Sequence, residues 1–333
     1  MKRWNLHISL LLLAAGLLAG ACTREPAGQE AGEIRFRVLN EWQDVTKGAS
    51  IYDGGTMSSG SFAVEAYAGN TTTAYISPTT VSRVSSAWEF ADGKHYWPAE
   101  GNLSFHAWMP FDPSSYDPPS YITDLTYSYA DGPGFSCTLP LTSDDQDLLT
   151  EYVYAYAKDR DKSHDGATGV PLNFRHPFAT IRFCFAVAHS GIILNRITLG
   201  GVKSTGTYTH EGGWTSPGGS GTFEWGTYDQ SLNAPYQTGD YLVMPQTIGT
   251  QTITVTYTDN RDPEHPASVS RTGTISLPRW EAGTHYLYTI LLKTNFTVTV
   301  TDLETAQPNV TTDVSVTDLE NGGYQDYTRY IIP

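Results

Sequence analysis

Thr252-Ile253-Thr254-Val255-Thr256-Tyr257 alternates threonine with an apolar residue at every step. That period of two is what a strand shows when one face packs on a core and the other meets solvent. The residues are β-branched or aromatic, which suits a pleated, half-buried surface. Outward from this stretch the habit repeats in Ile197 to Val202, Tyr241 to Met244, Thr272 to Leu277 and Tyr286 to Leu292. No comparable run has the 3.6-residue period of a long helix, so the chain reads as all-β.

The first half follows the same rule. Ile34, Phe36 and Val38 alternate with Arg35 and Arg37, which predicts a strand at a sheet edge. Further strand signals are Phe62 to Tyr67, the stretch around Trp88, His95 to Pro98, and Leu103 to Met109. Asp112 to Ser120 is proline-rich and lacks the ladder donors of a central strand, so it is a loop. Ser143 is positioned to cap a short helix reaching Leu149, and Tyr152 to Tyr156 reads as a strand. Val170 to Val187 is strongly apolar, with Ile181, Phe183, Phe185 and Val187 sharing a face, and predicts a fully buried strand.

Composition supports many short strands joined by turns: 39% hydrophobic, 12% aromatic, 31 Gly and 19 Pro in 333 residues. The length exceeds what one core usually serves, so two domains are expected, 34–189 and 190–333, divided at His189-Ser190-Gly191. A formal charge of −15, with 20 Lys and Arg in all, argues against a nucleic-acid partner.

Residues 1–21 have the form of a secretory leader: Lys2 and Arg3, an apolar run from Ile8 to Leu18, then Ala19-Gly20-Ala21. The run of 11 residues is shorter than the roughly 20 a spanning helix needs. Cys22 follows the small residues directly, which marks a lipoprotein processing site and a tethered, extracytoplasmic protein, the alternative being plain secretion with Cys22 an ordinary residue. Stable anchoring takes two or more acyl chains. Residues 22–33 are a polar spacer. Asp44 to Gly60 reads as an exposed, protease-accessible loop around Lys47.

The tail, 294–333, is distinct. Val298-Thr299-Val300-Thr301-Asp302-Leu303-Glu304 recurs as Val314-Ser315-Val316-Thr317-Asp318-Leu319-Glu320, and the chain ends in Ile331-Ile332-Pro333. The repeats are strand-like. Either they form an extra hairpin on the second domain or they are meant for another molecule.

Local chemistry is sparse. Asp159 to Gly166 has the look of a calcium loop, but counted from Asp161 the twelfth place is Leu172, where a bidentate Glu is needed. Asp144, Asp145 and Asp147 suit a helix N-terminus. The sequence contains no Gly-x-Ser-x-Gly, His-Glu-x-x-His or phosphate-cradling loop, so neither catalytic residues, a metal nor a cofactor is expected. His176, ahead of Pro177, suits a structural hydrogen bond. Cys137 and Cys184 are either a pair or two buried thiols. Aromatic abundance raises glycan binding as a second function, although Trp88, Trp97, Trp214, Trp225 and Trp280 lie in or beside strand patterns, where they serve a core. A glycosidase carboxylate pair drawn from separate loops leaves no local signature, and a hydrolase ranks third.

Several segments taken together resemble the fimbrillin family, the type V pilus subunits and related lipoproteins of Bacteroides-type bacteria. They are Val45-Thr46-Lys47-Gly48, Tyr96-Trp97-Pro98 with Leu103 to Pro110, Phe174-Arg175-His176-Pro177-Phe178-Ala179-Thr180-Ile181, Gly201-Val202 with Thr205 to Tyr208, Tyr241 to Gln246, and Trp280 to Tyr286. The resemblance implies two tandem transthyretin-like β-sandwiches, export through the periplasm as a lipoprotein, and assembly with other fimbrial subunits at the outer membrane, in a cell-surface fimbrium. It further implies cleavage after a basic residue in the loop following the first strand, here Lys47. The freed groove would take a strand from a neighbouring subunit. The tail lies outside the resemblance: with Val298, Val300, Val314, Val316, Ile331 and Ile332 as candidate donors the chain is a polymerising subunit, and with the tail folded on its own domain it is a tip, anchor or accessory subunit.

Overall fold

The computed structural model describes residues 32–39, 60–69, 71, 73–147, 149–226 and 229–292, and the backbone of 296–302 and 312–315. The first half contributes β1 (Phe36–Val38), β2 (Ser61–Ala68), β3 (Ala74–Val84), β4 (Ala87–Phe90) and β5 (Leu103–Met109). A hairpin of β6 (Ile122–Ser128) and β7 (Gly132–Thr138) follows, then α1 (Ser143–Gln146), β8 (Val153–Arg160), α2 (Lys162–Asp165), β9 (Val170–Leu172) and β10 (Phe174–Arg175). The second half adds β11 (Ala179–Phe185), β12 (Ile192–Thr209), β13 (Gly213–Trp225), β14 (Gln230–Ser231), β15 (Tyr236–Gln237) and β16 (Tyr241–Val243). It ends with β17 (Gln246–Asp259), β18 (Ala267–Trp280), β19 (His285–Leu292), β20 (Phe296–Asp302) and β21 (Thr312–Ser315). The fold is all-β, as the alternation requires.

The first eight-stranded sheet runs β10-β8-β5-β2-β3-β4-β1-β9. Its two ends are one stretch of chain, because β9 and β10 are separated only by Asn173. β9 pairs with β1 while β10 pairs with β8, so the sheet curls round and closes on itself. Inside lie Phe36, Phe62, Val64, Trp88, Phe105 and Phe174, all buried.

The second lobe is a sandwich. One layer is ordered β18-β17-β12-β7-β6 with β13 and β14 also on β12, and the other β15-β11-β19-β20-β21 with β16 also on β11. Between them pack Ile181, Phe183, Phe223, Ile253, Val255, Trp280 and Tyr288. Ile253 and Val255 from the opening stretch are completely buried, and their threonine neighbours face out.

The lobes are stitched together by β12 and the β6–β7 hairpin. β12 pairs with β17 along its first half and with β7 from Thr205 to Thr209. The hairpin lies on the outer face of the closed sheet, where Phe135, Ile122 and Cys137 share a third core with Trp108, Tyr152, Tyr154 and Tyr208. At its tip Lys158 donates to Ala130 O at 2.6 Å, Tyr156 donates to Tyr129 O, and Tyr129 bonds the Asp159 carboxylate.

The structure departs from sequence expectation in four places. β1 is interior rather than an edge, because β9 pairs with it on the side away from β4. Ala179–Phe185, expected before the boundary at His189-Ser190-Gly191, runs parallel to β19 and belongs to the second core. The change of core therefore falls between Phe174 and Ala179. Val187 is 39% exposed, since β11 ends at Phe185. Thr142, not Ser143, caps α1, and Ser143 instead accepts the Gly226 N–H at 2.8 Å.

Candidate functional site: the slot occupied by the first strand

β1 is held by few residues and by two different partners. Antiparallel to β4 and the segment that follows it, Ile34 N donates to His95 O at 2.8 Å, Trp97 N to Gly32 O at 2.7 Å, and Phe36 stands opposite Trp88. Parallel to β9, the register is Phe36 with Val170, Arg37 with Pro171 and Val38 with Leu172. Val170 N donates to Arg35 O at 2.7 Å and Leu39 N to Leu172 O at 2.9 Å. β1 is thus a short insert completing a sheet that is otherwise open between β4 and β9.

Its side chains sort by parity. Ile34 and Phe36 point inward and are buried, and the Phe36 ring contacts Phe62, Phe90 and Phe105 at centroid distances of 5.8, 5.3 and 5.5 Å. Burying a side chain of this size contributes about 1.5–3 kcal/mol. Arg35 and Arg37 point outward. Glu33 pairs with Arg35 at 2.9 Å and Lys94 at 3.5 Å; burial pushes its carboxyl up, but these partners win and hold it below the usual carboxylate range. Gly169 lets β9 come close: its φ is +80°, and a Cβ there would sit 3.1 Å from the Phe36 carbonyl carbon.

The tail strands lie on the other lobe. β20 extends the β11–β19 layer, with Val300 opposite Tyr288 and Val298 opposite Ile290. β21 pairs with β20 in a register that sets Val298 against Val314. The repeated valine segments therefore meet each other. Cys22, Lys47, Val316, Ile331 and Ile332 lie outside the described residues.

Other sequence candidates have structural partners. Asp161 caps α2 by accepting from Ser163 N and His164 N, while Asp165 takes Arg160 Nε at 2.7 Å. His176 Nδ1 meets Glu151 at 2.8 Å. Cys137 and Cys184 are separate, buried thiols, and burial pushes both up. Trp88, Trp97, Trp225 and Trp280 are buried in the cores, and the Trp214 indole donates to Pro177 O, so these aromatics form no exposed sugar platform.

One constellation had no sequence signal. Arg182 and His285 both bind Asp240, Arg182 Nε at 2.8 Å to Oδ1 and His285 through Nε2, with all three residues buried. Burial pushes the Asp240 carboxyl up, but the His285 and Arg182 bonds outweigh it and hold the group below its ordinary range. Asp240 sits between β15 and β16, where the chain bulges away from β11 and turns the carboxylate over it. The pair ties β11, β19 and that bulge together.

Residues 50–316 match the model of the fimbrillin-like family. Among solved structures, a fimbrial protein from Bacteroides vulgatus is similar at 14% identity, with a TM-score of 0.55 over 81% of this chain and 98% of that one. A candidate cell adhesion protein from Bacteroides uniformis is similar at 14% identity and a TM-score of 0.51, over 82% and 99%. At such identities the likeness is one of fold. No curated protein matches the chain.

Proposed function

The chain belongs to the fimbrillin-like family, and from that premise we propose that it is a non-enzymatic structural subunit of a cell-surface fimbrium, delivered as a lipoprotein through Cys22 and joined to other subunits by strand exchange. The observation that carries the reading is the position of β1. It is a short interior strand with one buried aromatic anchor, followed by the segment containing Lys47. Cleavage after Lys47 would detach β1 from its chain and free a slot between β4 and β9.

A strand filling that slot must run antiparallel to β4 and parallel to β9, and must present apolar side chains at alternate positions where Ile34 and Phe36 now sit. Val298 and Val300, or Val314 and Val316, have that spacing. For Val298 and Val300 to serve another subunit, β20 must first leave β19, giving up a seven-residue ladder from Tyr286 to Leu292, whereas for Val314 to serve, β21 must leave β20. Donation is favourable only if the new ladder and the filled pocket replace those bonds.

Mass spectrometry of protein taken from the native surface tests the reading. A mature start at Gly48 in assembled fibres supports exchange, and lipid-modified Cys22 supports delivery by an anchor. A start site unrelated to either overturns the processing scheme. Truncation after Leu292 that leaves fibres unchanged removes the tail as donor.

A further inference from the structure

The outer face of the β17–β18 hairpin is a ladder of hydroxyls. Register pairs Thr250 with Ser276, Thr252 with Thr274, Thr254 with Thr272, Thr256 with Ser270, and Thr258 with Ser268. Thr254 and Thr272 bond through their hydroxyls at 3.0 Å, as do Thr256 and Ser270. Among the described residues β18 has a hydrogen-bonded neighbour on one side only, over 14 residues without a bulge in its register. Soluble proteins usually blunt such an edge with Lys, Pro or a bulge. Here the outward row from Ser268 to Ser276 is uncharged and exposed, and the only proline of the strand, Pro278, comes near the end; β20 and β21 of the other layer approach β18 without hydrogen-bonding to it.

The row reads the same in both directions as hydroxyl chemistry. An antiparallel copy centred on Thr272 sets Thr272 opposite Thr272, Ser270 opposite Thr274, and Ser268 opposite Ser276. The same register lays the exposed Arg279, which pairs with Glu281 of its own chain at 3.2 Å, beside the acidic hairpin tip, Asp262 to Glu264, of the other copy. Self-complementarity about one point is what an isologous two-fold contact requires.

We infer that β18 is a self-pairing edge, through which two copies of this chain associate antiparallel about Thr272, joining their hydroxyl ladders into one continuous sheet face. This contact is separate from the β1 slot and does not depend on strand exchange there. A single polar edge is a weak contact in a free subunit, but copies arrayed along a fibre would multiply it into lateral adhesion between fibres.

Disulfide trapping tests the register. Directly opposed residues have Cα atoms about 4.5–5.5 Å apart, within disulfide reach. In the proposed pair Ser268 of one copy opposes Ser276 of the other, whereas like residues at either position are about 27 Å apart at roughly 3.4 Å per residue. Ser268→Cys mixed with Ser276→Cys should give a covalent dimer under mild oxidation, and neither variant alone should. Adding Thr272→Lys to both sets two ammonium groups face to face and should abolish the dimer; circular dichroism of these exposed variants verifies the fold. No covalent dimer in the mixture, equal dimer from the single variants, or an unchanged yield with Thr272→Lys would overturn the inference.

Discussion

Phe36 of β1 meets Phe105 of β5 edge to face, with ring centroids 5.5 Å apart and planes at 88°. The contact joins the first strand to the middle of the closed sheet, so the stability of the N-terminal lobe and the occupancy of its slot are one quantity. Phe36→Ala should destabilise the protein by about 3–5 kcal/mol, the usual cost of emptying a buried aromatic site. Urea denaturation measures it; an unchanged midpoint would mean the slot closes without its anchor.

Gly169→Ala attacks the same strand from the other side. The substitution forces a side chain into a left-handed conformation, costing about 1–2 kcal/mol, and crowds the Phe36 carbonyl. Limited proteolysis should then release the segment bearing β1 faster than in the parent. An equal release rate would argue that β9 does not hold β1.

Asp240→Asn should cost about 3–5 kcal/mol, because Arg182 is left with a neutral partner in a buried site. The pH sign follows from the direction of the shift. The Asp240 carboxyl is depressed in the fold, so its contribution is present above the unfolded carboxylate value of about 3.9 and lost as pH falls through the folded value. Thermal melts across the acid range should show the parent losing this contribution and Asp240→Asn lacking it. Parallel acid profiles would contradict the assignment.

His210 titrates the contact between lobes. It bonds Tyr154 and packs edge-on to Tyr156, and burial, then Arg175, pulls its imidazole below the usual value. The unfolded chain therefore binds the proton more readily, and stability falls as pH drops from about 6.5 toward the folded value. His210→Gln should flatten that slope. A slope retained in the variant would place the titration elsewhere.

Cys137 and Cys184 should stay silent to a thiol reagent in the native protein and react only on unfolding, since both are buried with raised thiols. A disulfide linking them in the intact mass would refute the structure here.

Strand identity was legible wherever one face was buried. Ile253, Val255 and Tyr257 announce their strand, because alternation is written locally. The partner of each strand was not. Nothing near Phe36 names Val170 as its parallel neighbour, and the apolar run through Phe183 carries no mark of which core receives it. Arg182 stands in that run as a lone charge; Asp240, which neutralises it, comes from the distant bulge between β15 and β16, and His285, which shares that carboxylate, from the start of β19. The cap shifted by one residue because Thr142 and Ser143 have equivalent hydroxyls, and only the path of β13 past α1 gives Ser143 another use.

By itself, then, the sequence determined an all-β chain, the positions of most strands and turns, and a resemblance that matched the family. Tertiary structure alone decided that β1 is interior, that Ala179–Phe185 crosses to the second lobe, that the two valine repeats pair with each other, and that Arg182 is neutralised. The physical reason is one of range. Side-chain alternation is fixed within a few residues by the geometry of the pleat, whereas backbone hydrogen bonds are alike for every residue and choose partners only when distant segments close a common core.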